Sequence, residues 1–105
     1  MNFLMPKLKC TDDFSKIKIK LRDMVYYACF DDSIIIASFS KMEYYLLDSS
    51  AAIFFNTIIE SNTLDIAILK LEEYFNDDKH IFLEDLIDWC NNMINKGVIT
   101  IKRGK

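Results

Sequence analysis

The chain is poor in the residues from which many active sites are built, since its 105 residues include two glycines, one proline and one histidine. Two glycines are too few for a phosphate-cradling loop. The histidine, His80, lies in a polar segment where a surface position is expected rather than a catalytic or ligating one. Three cysteines without a CxxC pair argue against a disulfide framework and a zinc site. We therefore expect no catalytic residue, no metal and no cofactor, and predict that the protein is not an enzyme.

Long apolar runs are also lacking. The first apolar patch, residues 3–5, is stopped by Pro6 and Lys7, and no stretch approaches the roughly 20 apolar residues that span a bilayer. What the chain does contain is 51% hydrophobic residues, which favours one globular domain over disorder. These features predict a cytoplasmic protein with no membrane partner.

Charge divides the chain into two parts. Residues 1–22 contain six lysines or arginines against Asp12 and Asp13, a net charge of +4, so that the remaining residues carry −7 of the total of −3. We expect a basic N-terminal arm over residues 1–22, solvated at least in part, and a domain over residues 23–105. Within the arm, residues 16–21 alternate lysine with an apolar residue, which is typical of a half-buried strand. This segment is a candidate edge strand for the sheet of the domain.

Periodicity in the domain predicts three strands followed by three helices. Two-residue alternation and the turn residues Asp31-Asp32 and Ser40-Lys41 indicate an antiparallel meander. Asp48, Ser49 and Ser50 are expected to cap the first helix with side-chain oxygens, and Gly97 to end the third. The predicted fold class is α+β, winged-helix-like. The strands are expected at residues 24–30, 34–39 and 43–47, the helices at residues 50–60, 64–75 and 83–95, and a short closing strand at residues 98–101.

The third helix has two apolar faces. One face, with Leu86, Trp89, Cys90 and Met93, is the face that we expect to be buried. The other carries Leu83, Ile87 and Ile94, about a third of a turn away. Two interpretations are open: the second face widens the core contact, or it lines a groove between the helix and the neighbouring strand edge.

A winged-helix order of elements raises nucleic-acid binding as a competing function. The helix that would enter the major groove carries Glu84, Asp85 and Asp88 against a single Lys96. Duplex DNA carries one negative charge per roughly 1.7 Å of axis, so an acidic reading helix is repelled. We therefore expect no nucleic-acid partner, and a winged-helix nucleic-acid-binding regulator stays the alternative.

An ordered pattern of residues from Tyr44 to Ile99 resembles the PqqD-like proteins, the recognition elements of ribosomally made, post-translationally modified peptides (RiPPs). The resemblance covers a little over half of the chain. Its matching positions are Tyr45, Leu47, Ala52, Phe54, Thr63, Leu64, Leu71, Tyr74, Asp85, Leu86, Trp89, Cys90, Met93, Gly97, Val98 and Ile99.

The resemblance implies a stand-alone domain that binds the leader of a precursor peptide and presents it to a separate modifying enzyme or leader protease. Family members take the leader as an antiparallel strand on the free edge of the third strand, with leader side chains in the groove beside the third helix. Transferred to this sequence, the edge is Glu43, Tyr44, Tyr45, Leu46 and Leu47. The pocket would consist of Tyr44, Leu46, Leu83, Ile87, Asn91 and Ile94, with Glu84 and Asp88 at its rim.

The face of the third strand that meets the groove stays open. Alternation puts Tyr45 and Leu47 on one face of the third strand and Tyr44 and Leu46 on the other, without indicating which face meets the groove.

A monomer or weak dimer is expected. A third hypothesis is a structural subunit whose hydrophobic edge is buried in an oligomer.

Overall fold

The computed structural model describes residues 7–76 and 79–104, without the side chains of residues 79–81; His80 is therefore outside the described side chains. Over these described residues, five strands and three α-helices follow a 3-10 turn at Phe14–Lys16. The strands are β1 (Ile17–Leu21), β2 (Val25–Phe30), β3 (Ser33–Ser38), β4 (Glu43–Leu47) and β5 (Ile99–Arg103), and the helices are α1 (Ser49–Glu60), α2 (Leu64–Phe75) and α3 (Lys79–Asn95).

The predicted α+β class is confirmed, with a three-stranded antiparallel meander in the order β2-β3-β4 and three helices after it. The meander forms because each strand has β-branched or aromatic residues and the first turn has aspartates, which tolerate a left-handed backbone. Asp31 at the first turn and Met42 at the second have positive φ values of 51° and 55°. The third helix begins at Lys79, four residues earlier than its apolar pattern indicates.

The alternating lysine segment is a strand, but it does not extend the meander as an edge strand. β1 pairs antiparallel with β5 in a separate two-stranded sheet, with Ile17 opposite Arg103 and Leu21 opposite Ile99. Ile17 and Ile19 are buried, whereas Lys18 and Lys20 face solvent. Apolar burial on one face therefore draws this part of the basic segment into the core. The boundary between residues 22 and 23 stays a prediction, and residues 1–6 are outside the described part of the chain.

One face of the meander packs on the helices and the other does not. Ile34, Ile36 and Leu47 point inward and are buried, in register with Cys29, Tyr27 and Tyr45 on the neighbouring strands. The opposite surface, which we call the outer face, consists of two cross-strand rows with Phe30 and Phe39 beside them. The rows are Tyr26–Ala37–Tyr44 and Ala28–Ile35–Leu46.

Aromatic contacts join the meander to the helices. Tyr27 of β2 lies edge-on to Phe55 of α1, with ring centroids 5.0 Å apart. The rings of Phe54 and Phe55 both lie edge-on to Trp89 of α3, with ring centroids 6.1 and 6.5 Å from that of Trp89. Because aromatic pairs of this geometry add to area burial, α1 joins α3 to the sheet through these contacts. None of the helices in the described ranges is long and apolar enough to cross a bilayer.

The start of α1 differs from the predicted side-chain capping. Asp48 is the N-cap residue, but its carboxylate makes no capping hydrogen bond; its backbone carbonyl accepts from the N–H groups of Ala51 and Ala52. At α2, the Thr63 hydroxyl donates to the Asp65 carboxylate rather than capping the helix. Both helices therefore depend on their buried faces more than on side-chain caps.

The end of α3 follows the sequence prediction closely. Gly97 has a φ of 77°, and its N–H donates to the carbonyl of Ile94 while the Val98 N–H donates to that of Met93. This pair of bonds is a Schellman motif. A Cβ atom on Gly97 would approach Lys41 Nζ and Cε to 3.0 Å. The position therefore combines a backbone that favours glycine with a close approach by a neighbouring side chain.

We predict that Gly97→Ala lowers the free energy of unfolding by about 1–2 kcal/mol, because a left-handed conformation is costly for a residue with a Cβ. Urea denaturation measures the change. Gly104→Ala is the matched control, since its Cβ would have only ordinary contact with Lys16 O at 3.5 Å. Equal stability of the two variants would contradict the prediction.

Candidate functional site

The meander has two free edges, because neither β2 nor β4 pairs with a further strand within residues 7–76 and 79–104. A free edge presents unpaired backbone N–H and C=O groups that can pair with another chain. The two edges differ in their surroundings. β4 lies beside the C-terminal end of α3, whereas β2 lies beside α1 through Tyr27. Only the β4 edge therefore combines strand backbone with the third helix.

Two lysines join β4 to the end of α3. The Lys96 ammonium lies 5.0 Å from the centroid of the Tyr45 ring, a cation–π contact. Lys41, from the loop before β4, donates from Nζ to the Lys96 carbonyl oxygen at 2.8 Å. A cation at this place also complements the negative end of the helix dipole. The two contacts fix the strand against the helix at the start of β4.

The inward face of β4 carries a polar pair. The Tyr45 hydroxyl donates to Glu43 Oε2 at 2.6 Å. This hydrogen bond to a carboxylate favours the protonated phenol and so raises the pKa of Tyr45 above its ordinary value. Tyr45 is therefore held between an anion at its hydroxyl and a cation over its ring.

The predicted pocket is not assembled as expected. Tyr44 and Leu46 belong to the outer face, 73% and 65% exposed, and point away from the helices. Leu83, Ile87 and Ile94 are buried in the core. Register explains the separation: with Ile34 and Ile36 inward, their partners Leu47 and Tyr45 must be inward too, and Tyr44 and Leu46 outward. Of the two interpretations of the second apolar face of α3, the structure favours the wider core contact.

Asn91 binds backbone, but it is backbone of this chain. Its Oδ1 accepts from the Leu8 N–H at 2.8 Å, and its Nδ2 donates to the Leu8 carbonyl at 3.0 Å. The Leu8 side chain is buried. Arg103 holds the same segment by donating to the Lys7 carbonyl at 3.0 Å, and its guanidinium lies 3.5 Å from Asp12. Asn91 is thus a structural clasp for residues 7–12.

Asn91 also lies on the wrong side of α3 for a site beside β4. At about 100° per residue, it is about 140° around the helix from Lys96, the residue that contacts β4. The rim residues Glu84 and Asp88 are exposed, between these two directions.

Lys96, which contacts Tyr45 of β4, belongs to a stripe of α3 that the apolar pattern of the sequence does not single out. Spacing of i, i+4, i+7 and i+11 puts four residues on the side of the helix that contacts Tyr45. Trp89 and Lys96 are half-buried there, and Asp85 and Asn92 are exposed. The signal was the helical spacing of a mixed polar and aromatic stripe, which a search for apolar faces passes over. The stripe is Asp85, Trp89, Asn92 and Lys96.

Other concave surfaces lie away from this stripe. A cavity of about 460 Å³ between the β2–β3 turn and α1 is lined by Asp31, Asp32 and Asp48 among others. Within the described residues, no three His, Cys, Asp or Glu side chains are arranged to hold a metal ion. Burial raises the pKa of the Cys90 thiol, which disfavours the reactive thiolate.

We predict that Asn91→Leu lowers the free energy of unfolding by about 1–2 kcal/mol, since two hydrogen bonds to Leu8 are lost at about 1 kcal/mol each. The neighbouring Asn92→Leu, at an exposed position, should change it by less than about 0.5 kcal/mol. Urea unfolding of both variants measures the difference. An unchanged free energy of unfolding in Asn91→Leu would contradict the structural role of Asn91.

Glu43→Gln should lower the pKa of Tyr45 toward the ordinary value, because a neutral amide stabilises the phenol less than a carboxylate does. NMR titration of the assigned Tyr45 ring carbon measures the pKa in both proteins. An unchanged Tyr45 pKa would contradict the role of Glu43.

Comparison with known proteins gives a fold but no family. No family model and no curated protein matches the chain. Among solved structures, the chain is similar to TbiB1 in complex with the TbiA(beta) leader peptide, with a TM-score of 0.71 at 20% sequence identity. The match covers 76% of this chain and 93% of that one. The two chains share their α+β fold.

Proposed function

We propose that this protein is a non-catalytic RiPP recognition element. It binds the leader segment of a precursor peptide as an added strand on the β4 edge, and presents the peptide to a separate modifying enzyme or leader protease. The observation that carries the proposal is the free edge of β4 beside α3, in a fold shared with a protein whose structure was solved with a leader peptide bound.

Strand addition supplies affinity through backbone. An antiparallel segment on β4 satisfies the unpaired N–H and C=O groups along Glu43–Leu47, largely independent of leader sequence. Selectivity comes from the alternate side chains of the bound segment. Those on one side continue the rows that end at Tyr44 and Leu46, and those on the other side lie against Tyr45 and the stripe of α3.

Burial of the predicted pocket residues changes which side chains are proposed to select the leader sequence. Asp85 and Asn92 offer an exposed carboxylate and amide on the side of α3 that carries Lys96. They replace Leu83, Ile87 and Ile94, which are in the core, as the side chains that meet the peptide. A basic leader residue near Asp85 gains at most about 1 kcal/mol, because an exposed ion pair is screened by solvent.

Nucleic-acid binding is disfavoured by the same helix. Glu84, Asp85 and Asp88 are all exposed on α3. A phosphate backbone placed against them meets three negative charges. Lys18 and Lys20 are also exposed, but they lie on the two-stranded sheet rather than on α3.

Hydrogen exchange with and without a leader peptide from a neighbouring precursor gene tests the binding mode. Amides of residues 43–47 that face the free edge should exchange at least about tenfold more slowly with peptide, because each becomes hydrogen-bonded in a sheet. The amides of β2 are the internal control, since β2 is the other free edge. Protection of β2 instead of β4, or of neither strand, contradicts the proposal, as does tight, salt-sensitive binding of duplex DNA in a parallel titration.

Leu46→Lys should weaken leader binding by up to about fivefold, through loss of one cross-strand contact of at most about 1 kcal/mol. Leu69→Lys on α2 is the matched control, since Leu69 is 61% exposed and lies away from β4. Fluorescence titration of a labelled leader measures both. Equal weakening by the two variants would remove Leu46 from the site.

A further inference from the structure

The outer face of the meander is an apolar surface without a cover in the described part of the chain. Its two rows contain no charged side chain. Six large residues on it, between 39% and 73% exposed, are Tyr26, Phe30, Ile35, Phe39, Tyr44 and Leu46. At about 190 Å² for each such side chain when fully exposed, these fractions leave roughly 650 Å² of apolar surface.

The two-stranded sheet of β1 and β5 has a different outer surface, which carries charged side chains. The outward positions of β1 are Lys18 and Lys20, which pair with Lys102 and Thr100 of β5. Two sheets of one small domain thus have opposite outer surfaces, one covered by lysines and one free of charge. The exposed area of the uncharged outer face exceeds about 300–600 Å², the size of the largest apolar patch on a typical monomer.

The patch is also close to what a stable dimer needs. A standard interface buries about 800 Å² on each partner, and the rims of the outer face add to its roughly 650 Å². Two flat sheets pack face to face about 10 Å apart when their side chains interdigitate. The outer face alternates large with small side chains: Ala37 lies between Tyr26 and Tyr44, and Ala28 beside Ile35. Large residues of one copy can therefore lie over the alanines of another.

We propose that two copies of this chain pack outer face against outer face, forming a two-fold sandwich of two three-stranded sheets. A second copy fits because an isologous contact places the same patch of both subunits together, and this patch carries no charge that would repel its own image. Packing through the faces leaves the β4 edge open. The dimer therefore goes beyond leader binding and leaves the backbone of that edge free, although Tyr44 and Leu46 belong both to the outer face and to the rows that a bound leader would continue.

Sedimentation velocity at about 10–200 µM tests the proposal. The unmodified chain should sediment as a dimer of twice 12.3 kDa, and Tyr26→Lys as a monomer, because a desolvated lysine on the face opposes burial. Tyr74→Lys on α2 is the matched control, since Tyr26 and Tyr74 are 57% and 66% exposed. A monomeric parent chain, or a Tyr26→Lys variant that stays dimeric, overturns the proposal.

A second matched pair guards against misfolding of one variant. Ile35→Lys should also give a monomer and Ile66→Lys a dimer, with parent positions 39% and 37% exposed; circular dichroism checks that each is folded. A dimer in Ile35→Lys also overturns the proposal. Tyr26 lies on β2, two strands from the β4 edge, so Tyr26→Lys should bind leader as the parent chain does. Failure of leader binding therefore leaves the dimer result intact, and the reverse also holds.

Discussion

Burial of Ile34, Ile36 and Leu47 against the helices is the contact on which the rest of the structure depends. In a strand, successive side chains point to opposite faces, so fixing these three fixes every other residue of the meander. Tyr45 must then face α3, and Tyr44 and Leu46 must face away. One choice of sheet face thus determines both the chemistry available at the β4 edge and the apolar surface on the other side.

The candidate site is made of backbone more than of side chains. β4 offers an unpaired edge, and Lys41, Lys96 and Gly97 hold that edge against the end of α3. A candidate site of this kind needs few particular side chains, because backbone N–H and C=O groups supply its hydrogen bonds. The likeness to the solved structure at 20% identity shows a shared fold, and a fold does not by itself determine a function.

Local patterns were sufficient for the elements, and insufficient for their orientation. Alternation and turn residues predicted β2 to β4 nearly to the residue, and Gly97 predicted the end of α3. The face of β4 was not predictable, because Ser33–Ser38 contains three consecutive isoleucines and therefore offers apolar side chains to both sides. The positions of Leu83, Ile87 and Ile94 on α3 were also not predictable from spacing alone. A buried helix face and a groove-lining face have the same spacing, and only tertiary contacts separate them.

The partner of β1 was hidden for a different reason. Ile17 and Arg103 lie at opposite ends of the sequence, and no local signal reports so distant a pairing. This topology also orders events during synthesis on the ribosome. Helices and the meander can form from local contacts, whereas β1 must wait for the final residues of β5 to emerge. During that interval Lys18 and Lys20 give the waiting strand charges that discourage pairing with a neighbouring chain. The small sheet thus closes the domain last, because β1 pairs with the last strand of the domain.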